Sequence, residues 1–257
     1  MIEALAELLQ ISQQALLIGF AVFLRIGSAM ALLPAFGEQT VPNRVKLVLG
    51  FSFTLIVAPA VAPDLFAFQG RFPPTWFIAE IMIGLMLGIL LRLFIIALQT
   101  AGAIAAQATS LSQLFGGSTG EPQPAVGHLL AIAGLALAVQ LGLHVKLAAL
   151  FIGSYDALPP GAIPDADLIK AWGLSGVAQT FGLSFSIAAP FVLAGLVYNV
   201  ALGAINRAMP QLMVAFVGAP ALTAGGLVLL FLAVPTGLIV WHDAFDAFVA
   251  NPFQVAP

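Results

Sequence analysis

The chain alternates long apolar runs with short intervals rich in polar residues, proline or glycine. The apolar runs predict six helical segments, at residues 2–33, 45–62, 77–106, 125–153, 176–205 and 212–241. Each run exceeds the roughly ten residues of a membrane β-strand and lacks the period-two alternation of a barrel. The pattern therefore predicts an all-α protein with about six helices of membrane-spanning length.

Proline interrupts the last two of these segments. Pro190 lies inside the fifth segment, and Pro220 and Pro235 lie inside the sixth. An interior proline removes a backbone donor and clashes with the preceding turn, so it breaks or kinks a helix. We therefore expect several helices to be broken by proline, some of them folded into hairpins instead of single crossings.

Two intervals between the segments differ from the rest in composition. Residues 154–175 form the most polar stretch and predict a connector. Residues 107–124 contain a single charge, Glu121, together with three glycines and an apolar cluster of Leu111, Leu114 and Phe115. Irregular backbone at membrane depth is tolerated only against protein or a water-filled cavity. The interval 107–124 is thus a candidate constriction or plug, with an ordinary surface turn as the alternative.

Three charged residues, Arg25, Glu80 and Arg92, lie inside apolar segments. An arginine at the bilayer centre costs about 2.5–3.5 kcal/mol on insertion scales, so these groups should face protein, water or headgroups. Glu80 and Arg92 lie more than three helical turns apart, so each needs a partner from elsewhere. For Arg25, a structural pair with an acidic residue of a neighbouring helix or subunit is favoured over an ion-binding site.

Composition places the chain among integral membrane proteins. Hydrophobic residues make up 61% of it and charged residues 7%, whereas soluble domains are about a quarter charged. Such a chain cannot cover a water-facing surface. The net charge is −3 and forms no basic stripe, which argues against nucleic-acid binding.

Motifs for catalysis, metals and cofactors are missing from the sequence. The three histidines are scattered without metal-binding spacing, the chain has no cysteine, and neither a Walker motif nor a dinucleotide fingerprint occurs. Ser118 lies in a GGSTG stretch with no orienting base nearby. Glu3 and Glu7 occupy the region where a signal peptide would be basic. We therefore expect no enzyme, no metal, no cofactor and no cleaved leader.

Two motifs carry a family resemblance, VPNRVKL at 41–47 and NRAMPQ at 206–211. The other landmarks, in chain order, are Leu24-Arg25, Pro34, Gly84, Gly88, the interval 107–124, Gly218 and Pro220. In this order and spacing the chain resembles the FliR/SctT family of type III protein-export gate subunits, over most of its length.

The resemblance implies an all-helical subunit, present once per gate, with residues 1–257 as a single export-gate domain. Its implied partners are two smaller membrane subunits, FliP/SctR-like and FliQ/SctS-like, and an FlhB/SctU-like switch subunit. The assembled gate would form a helical stack raised out of the bilayer plane, in the bacterial inner membrane at the flagellar basal body or a secretion-system base. It would be the channel for unfolded export substrates, and flagellar use is favoured.

The resemblance also implies residue roles. Leu111, Leu114, Phe115, Gly116 and Gly117 would form a plug that closes the pore until a substrate arrives. The implied assembly contacts are Arg25, Pro42, Arg44, Lys46, Gly84, Gly88, Asn206, Arg207, Pro210 and Gln211. The plug interval is richer in glycine and serine than the family pattern. The resemblance therefore does not determine which of its side chains seal the pore.

Two other functions stay open at this point. A small secondary transporter would place broken helices around a substrate at the membrane midplane. A purely structural membrane scaffold is the other alternative.

Overall fold

The structure is a computed structural model that describes residues 2–38, 41–66, 73–109, 125–209 and 214–253. Within these ranges all regular secondary structure is helical, which confirms the all-α prediction. The described helices are α1 (Ile2–Met30), α2 (Asn43–Phe66), α3 (Pro74–Ala108), α4 (Ala125–Gln140), α5 (Leu143–Ala157), α6 (Ala166–Ala208) and α7 (Val214–Ala250).

The described helices account for the predicted membrane segments. By length and composition, α1, α2, α3, α6 and α7 are each long and apolar enough to cross a membrane. Helices α4 and α5 meet the same criterion only as a pair. The described ranges thus hold up to six candidate spans, in agreement with the six predicted segments and with an integral membrane protein.

The prolines do not divide the last two helices, and the predicted hairpins are wrong there. Helix α6 is 43 residues long and contains Pro190 without a break, and α7 likewise contains both Pro220 and Pro235. All three prolines are exposed on the helix surface. The ring still removes one backbone hydrogen bond and crowds the preceding turn, but at an exposed position no packed neighbour prevents the helix from adjusting there and continuing.

One sharp bend lies inside the segment that the sequence predicted as a single span, 125–153. Helix α4 ends at Gln140, α5 begins at Leu143, and their axes differ by 76°. Gly142, between them, has a φ of 86°. This is the left-handed region that glycine adopts without the steric penalty of a Cβ atom. Glycine, and not proline, makes this break.

The interval 154–175, predicted as a polar connector, is mostly helical. Helix α5 extends to Ala157 and α6 begins at Ala166, which leaves residues 158–165 as the non-helical link. Gly161 within this link has a φ of 71°. The link is short and directly follows the end of α5.

The chain forms two compact units. The first comprises Met1–Arg92, Val139–Gly176 and Phe248–Pro257, and the second comprises Leu93–Ala138 and Val177–Ala247. Each unit has its own buried core. The largest fully buried side chains include Arg25, Ile26, Met30, Leu87 and Phe151 in the first unit, and Leu98, Trp241 in the second.

Within the first unit, α1 and α2 form an antiparallel hairpin. The ring of Phe23 stacks on that of Phe51 with centroids 4.6 Å apart. In the turn after α1, a Cβ atom on Gly37 would lie 2.7 Å from the carbonyl oxygen of Leu33, so only glycine fits. Lys46 Nζ donates to the Gly37 carbonyl at 2.9 Å. The basic residue of the VPNRVKL motif therefore fastens the start of α2 to this turn.

Candidate functional site

A buried ion pair joins α1 to α3 in the first unit. The side chains of Arg25 and Glu80 are both completely buried. Arg25 Nε donates to Glu80 Oε2 at 2.6 Å, and Nη2 donates to Oε1 at 3.2 Å. This bidentate geometry is the strong form of a carboxylate–guanidinium contact. It confirms that Arg25 has an acidic partner on a neighbouring helix and that Glu80 takes its partner from outside α3.

The remaining donors of Arg25 bind the end of α5. Nη1 donates to the Ser154 carbonyl at 3.1 Å and to Ser154 Oγ at 3.0 Å, and Nη2 donates to the Leu158 carbonyl at 3.1 Å. Carbonyls at the C-terminal end of a helix carry partial negative charge, and the Ser154 carbonyl keeps its bond from the Leu158 N–H at 3.0 Å while it accepts from Arg25. Arg25 therefore caps α5 electrostatically. Its Cζ atom also lies 3.7 Å from the ring centroid of Tyr155, a cation–π contact.

Glu80 is held from the link after α5. The backbone N–H of Gly161 donates to Glu80 Oε1 at 2.9 Å, and the Tyr155 hydroxyl lies 3.4 Å from Oε2. Gly161 has a positive φ, and a Cβ atom on it would overlap Trp76 of α3, coming within 1.3 Å of Cδ1. Glycine is therefore required at 161 by both conformation and space.

The two glycines of the GxxxG pattern pack α3 against α1 beside the ion pair. A Cβ atom on Gly84 would lie 2.0 Å from the carbonyl oxygen of Arg25 and 2.1 Å from Ser28 Oγ. On Gly88 it would lie 2.8 Å from the carbonyl oxygen of Ala29. This close approach of backbones is what small residues four apart permit in membrane helices. The contact that these glycines make in this structure is within the chain.

The cluster is chemically closed. A guanidinium has five N–H donors, and the five hydrogen bonds of Arg25 use them all. Both oxygens of Glu80 are also engaged. Among the described residues there is no group of three histidine, aspartate or glutamate side chains that could hold a metal. The arrangement suits a structural role, in which the ion pair holds α1, α3 and α5 together.

The other predicted site residues lie apart from this cluster. Pro42, Arg44 and Lys46 lie at the start of α2, where Arg44 is exposed and Lys46 half-buried. Asn206 and Arg207 are exposed in the last turn of α6, in the second unit. Outside the described residues lie Leu111, Leu114, Phe115, Gly116, Gly117, Pro210 and Gln211. The plug and assembly roles of all these residues stay predictions.

Sequence reasoning missed the residues that complete the cluster. The sequence predicts the stretch 154–175 only as a connector, and this stretch contains Ser154, Tyr155, Leu158 and Gly161. Two of them act through backbone carbonyls and one through a backbone N–H, and such groups have no signature in a sequence. The Pro-Pro-Gly turn at 159–161 was the one available signal, since it predicts a glycine in a special conformation.

The second unit has a buried polar anchor of its own. The indole N–H of Trp241 in α7 donates to the Phe94 carbonyl of α3 at 2.8 Å. The Trp241 ring stacks on Phe245, with centroids 5.2 Å apart. Ser184 of α6 likewise donates to the Ala97 carbonyl of α3 at 3.1 Å. Both contacts tie α3 to a following helix within this unit.

An apolar cleft of about 320 Å³ also lies in the second unit, between α6 and α7. Tyr198 of α6 lines it and donates its hydroxyl to the Gly218 carbonyl of α7. Of the lining residues that the structure describes, Thr109, just after α3, is the other one with a polar side chain, and the rest are apolar or glycine. The cleft therefore offers apolar contact with few polar groups.

Residues 16–248 match the family described as Bacterial export proteins, family 1. The flagellar biosynthetic protein FliR of Caulobacter vibrioides is 35% identical over 233 residues, which cover 87% of this chain and 91% of that protein. The protein of the same name from Pectobacterium carotovorum is 31% identical, covering 84% of each chain. That of Aquifex aeolicus is 28% identical, covering 88% of each.

Proposed function

The chain belongs to the bacterial export proteins of family 1, and from this membership we propose that it is a pore-forming and gating subunit of the flagellar type III export apparatus. Such a subunit would act without catalysis, as part of the channel for unfolded export substrates. The inner membrane at the flagellar basal body is the location that this role requires.

The observation that carries the proposal is the extent of the match. The family match runs from residue 16, in α1, to residue 248, in α7, so the shared pattern includes at least part of every described helix. The curated relatives matched along this length are named flagellar biosynthetic proteins. A flagellar role is therefore preferred over an injectisome role.

The large unburied apolar area leaves room for neighbouring subunits as well as for lipid. In α3, 56% of the most apolar window is buried by the chain itself, but in α6 the share is 22% and in the Pro220–Ala250 part of α7 it is 6%. Contiguous apolar faces of this size must meet lipid or another protein. The partners we propose are the FliP/SctR-like, FliQ/SctS-like and FlhB/SctU-like subunits.

The plug proposal rests on the sequence of the interval 107–124. Most of this interval follows the end of α3 at Ala108. Its side chains are neutral except for Glu121, and together with the paired glycines they suit a constriction that must open for a protein chain. We assign the closing contacts to Leu111, Leu114, Phe115, Gly116 and Gly117. Arg44, Lys46, Asn206 and Arg207 are available for assembly contacts because they lie at helix ends and are at least partly exposed.

The test is native mass spectrometry of this chain co-expressed with the FliP-like and FliQ-like subunits of its own genome. We expect one defined complex that contains a single copy of this chain. A chain that stays alone, stable and monodisperse in the presence of those subunits would overturn the proposal. That outcome would favour the secondary transporter, and substrate binding by the isolated chain would be the next measurement.

A further inference from the structure

The two helices next to the interval 107–124, α3 and α4, are in backbone contact close to it. A Cβ atom on Gly102 of α3 would overlap the Cα atom of Gly127 in α4, and a Cβ atom on Gly127 would lie 2.7 Å from the carbonyl oxygen of Gln99. Carbon atoms in ordinary contact are about 3.5–4.0 Å apart, so neither glycine can carry a side chain unless the helices separate. Both glycines are buried, and both lie in the second unit.

This contact fixes the two points at which the interval joins the helices. Helix α3 ends at Ala108, six residues after Gly102, and α4 begins at Ala125, two residues before Gly127. At 1.5 Å per residue, the chain leaves α3 about 9 Å from the contact and enters α4 about 3 Å from it. A shift of either helix at the contact therefore moves the corresponding end of the interval.

Farther from the interval, α4 packs on α3 through side chains. A Cβ atom on Gly134 would overlap the Cδ1 atom of Leu98 and lie 3.5 Å from Trp241. Later residues of α4 thus oppose earlier residues of α3, so the helices are antiparallel and both ends of the interval lie on the same side of the contact. The end of a leucine side chain can change rotamer, whereas the backbone at Gly102 and Gly127 cannot yield without moving a helix.

A third close contact holds the end of α3 against α6. A Cβ atom on Gly195 of α6 would lie 2.5 Å from the carbonyl oxygen of Ala108. The next residue, Thr109, is buried and donates its hydroxyl to the Ala105 carbonyl at 2.7 Å. The last turn of α3 is thus fixed at the point where the interval begins.

We propose that Gly102, Gly127 and Gly195 are positioning residues for closure of the export channel. Their backbone contacts fix both ends of the interval 107–124, and so set the position from which the interval closes the channel. A functional constellation must be held to within about 0.5 Å, and packed helices give that precision better than a loop does. The inference rests on the proposed function, because it requires a channel that this interval closes.

Alanine substitutions test the positioning. Gly127→Ala and Gly102→Ala should form the complex with the FliP-like and FliQ-like subunits, measured by native mass spectrometry. Both should raise the leak of small ions from the cells several-fold per assembled complex, because α3 and α4 must separate to admit the methyl group. Gly134→Ala, in the same helix pair, should stay tight because Leu98 can move aside. Gly182→Ala, with nothing within 4 Å of its Cβ position, is the second control.

A double variant separates positioning from a general loss of packing. Deletion of residues 114–117 removes the apolar tip of the interval and is itself expected to leak ions. If the glycines act through the interval, adding Gly127→Ala to this deletion should raise the leak no further, because the two changes share one effect. Additive leaks would show that the substitution opens another path, and would overturn the inference.

The remaining outcomes distinguish this inference from the proposed function. If Gly102→Ala and Gly127→Ala prevent assembly, Gly195→Ala decides, because it displaces the end of α3 from the side of α6. Loss of assembly by all three variants would assign the glycines to folding alone and overturn the inference. So would normal assembly without leak, and the proposed function would stand. If the 114–117 deletion stays tight in an assembled complex, the plug assignment and this inference fail together. Failure of the unchanged chain to assemble would overturn the proposed function as well.

Discussion

Arg25 shows how a permanent charge is tolerated inside a membrane protein. Its five donors and the two oxygens of Glu80 are satisfied by three helices and a short link. The desolvation penalty of such a pair is large, so it contributes less to net stability than its geometry suggests. The stability of the fold therefore depends on both residues, because either charge alone would be buried without a counter-ion.

Removing one member of the pair should therefore be strongly destabilising. Arg25→Leu leaves the Glu80 carboxylate buried without a counter-ion, and we expect a loss of about 3–5 kcal/mol in the free energy of unfolding. The double variant Arg25→Leu/Glu80→Leu should lose less than the sum of the two single variants, because no unpaired charge remains. Unfolding of the purified chain in mixed SDS micelles measures all three. Strictly additive losses would contradict the coupling.

Gly161 is a residue of the cluster at which no larger side chain fits. Gly161→Ala places a methyl group on Trp76 and imposes a positive φ on alanine, so we expect the free energy of unfolding to fall by at least about 2 kcal/mol. Gly173→Ala is the matched control, since nothing lies within 4 Å of its Cβ position in α6. Alanine there should be neutral or stabilising by up to about 1 kcal/mol. Equal effects of the two substitutions would contradict this account.

At the residue scale, the sequence predicted the chemistry of the cluster but not its membership. The insertion penalty of arginine favoured an acidic partner for Arg25 over an ion-binding site, and that partner is Glu80. The pairing itself joins residues 55 positions apart, which no local pattern encodes. The carbonyls of Ser154 and Leu158 could not have been identified, because every residue has a carbonyl.

The helices were predicted well where a long apolar run specifies them. Breaks between helices were predicted poorly, because a single backbone angle determines where a helix ends. The six apolar runs correspond to the described helices because length and apolarity suffice to specify a membrane helix. The proline rule failed in α6 and α7 because a ring at an exposed position of a long helix is tolerated. The bend at Gly142 was missed because a single glycine in an apolar run is common in membrane helices.

The bend between α4 and α5 should depend on the left-handed conformation of Gly142 alone. A Cβ atom on Gly142 would meet nothing within 4 Å, so Gly142→Ala carries only the backbone penalty, about 1–2 kcal/mol. Gly153→Ala, also in open space but inside α5, should stabilise by about 0.5–1 kcal/mol. The midpoint of thermal unfolding in detergent should therefore move in opposite directions. A fall with both substitutions would show that space, and not the φ angle, is limiting.

Across the whole molecule, most candidate spans are covered only in small part by the chain itself. The buried share is 28% in the windows of α1 and α2, 22% in α6 and 6% in the Pro220–Ala250 part of α7, against 56% in α3. Apolar faces that the chain does not cover are available to lipid and to neighbouring subunits. The proposed function requires neighbouring subunits on some of these faces, and which faces they cover stays a prediction.

Gating is the property of the assembled molecule that the sequence predicts most specifically. Deleting residues 114–117 removes the apolar tip and the paired glycines of the interval 107–124. We expect the complex to assemble normally and the cells to leak small ions, because the pore has lost its closing side chains. Deleting residues 118–121 shortens the interval equally but retains Leu111, Leu114 and Phe115, so it should stay tight. If both deletion variants leak ions, the length of the interval and not its apolar side chains closes the pore. If neither variant leaks, the plug does not lie in this interval. If secretion is also unchanged, the chain acts as a structural scaffold.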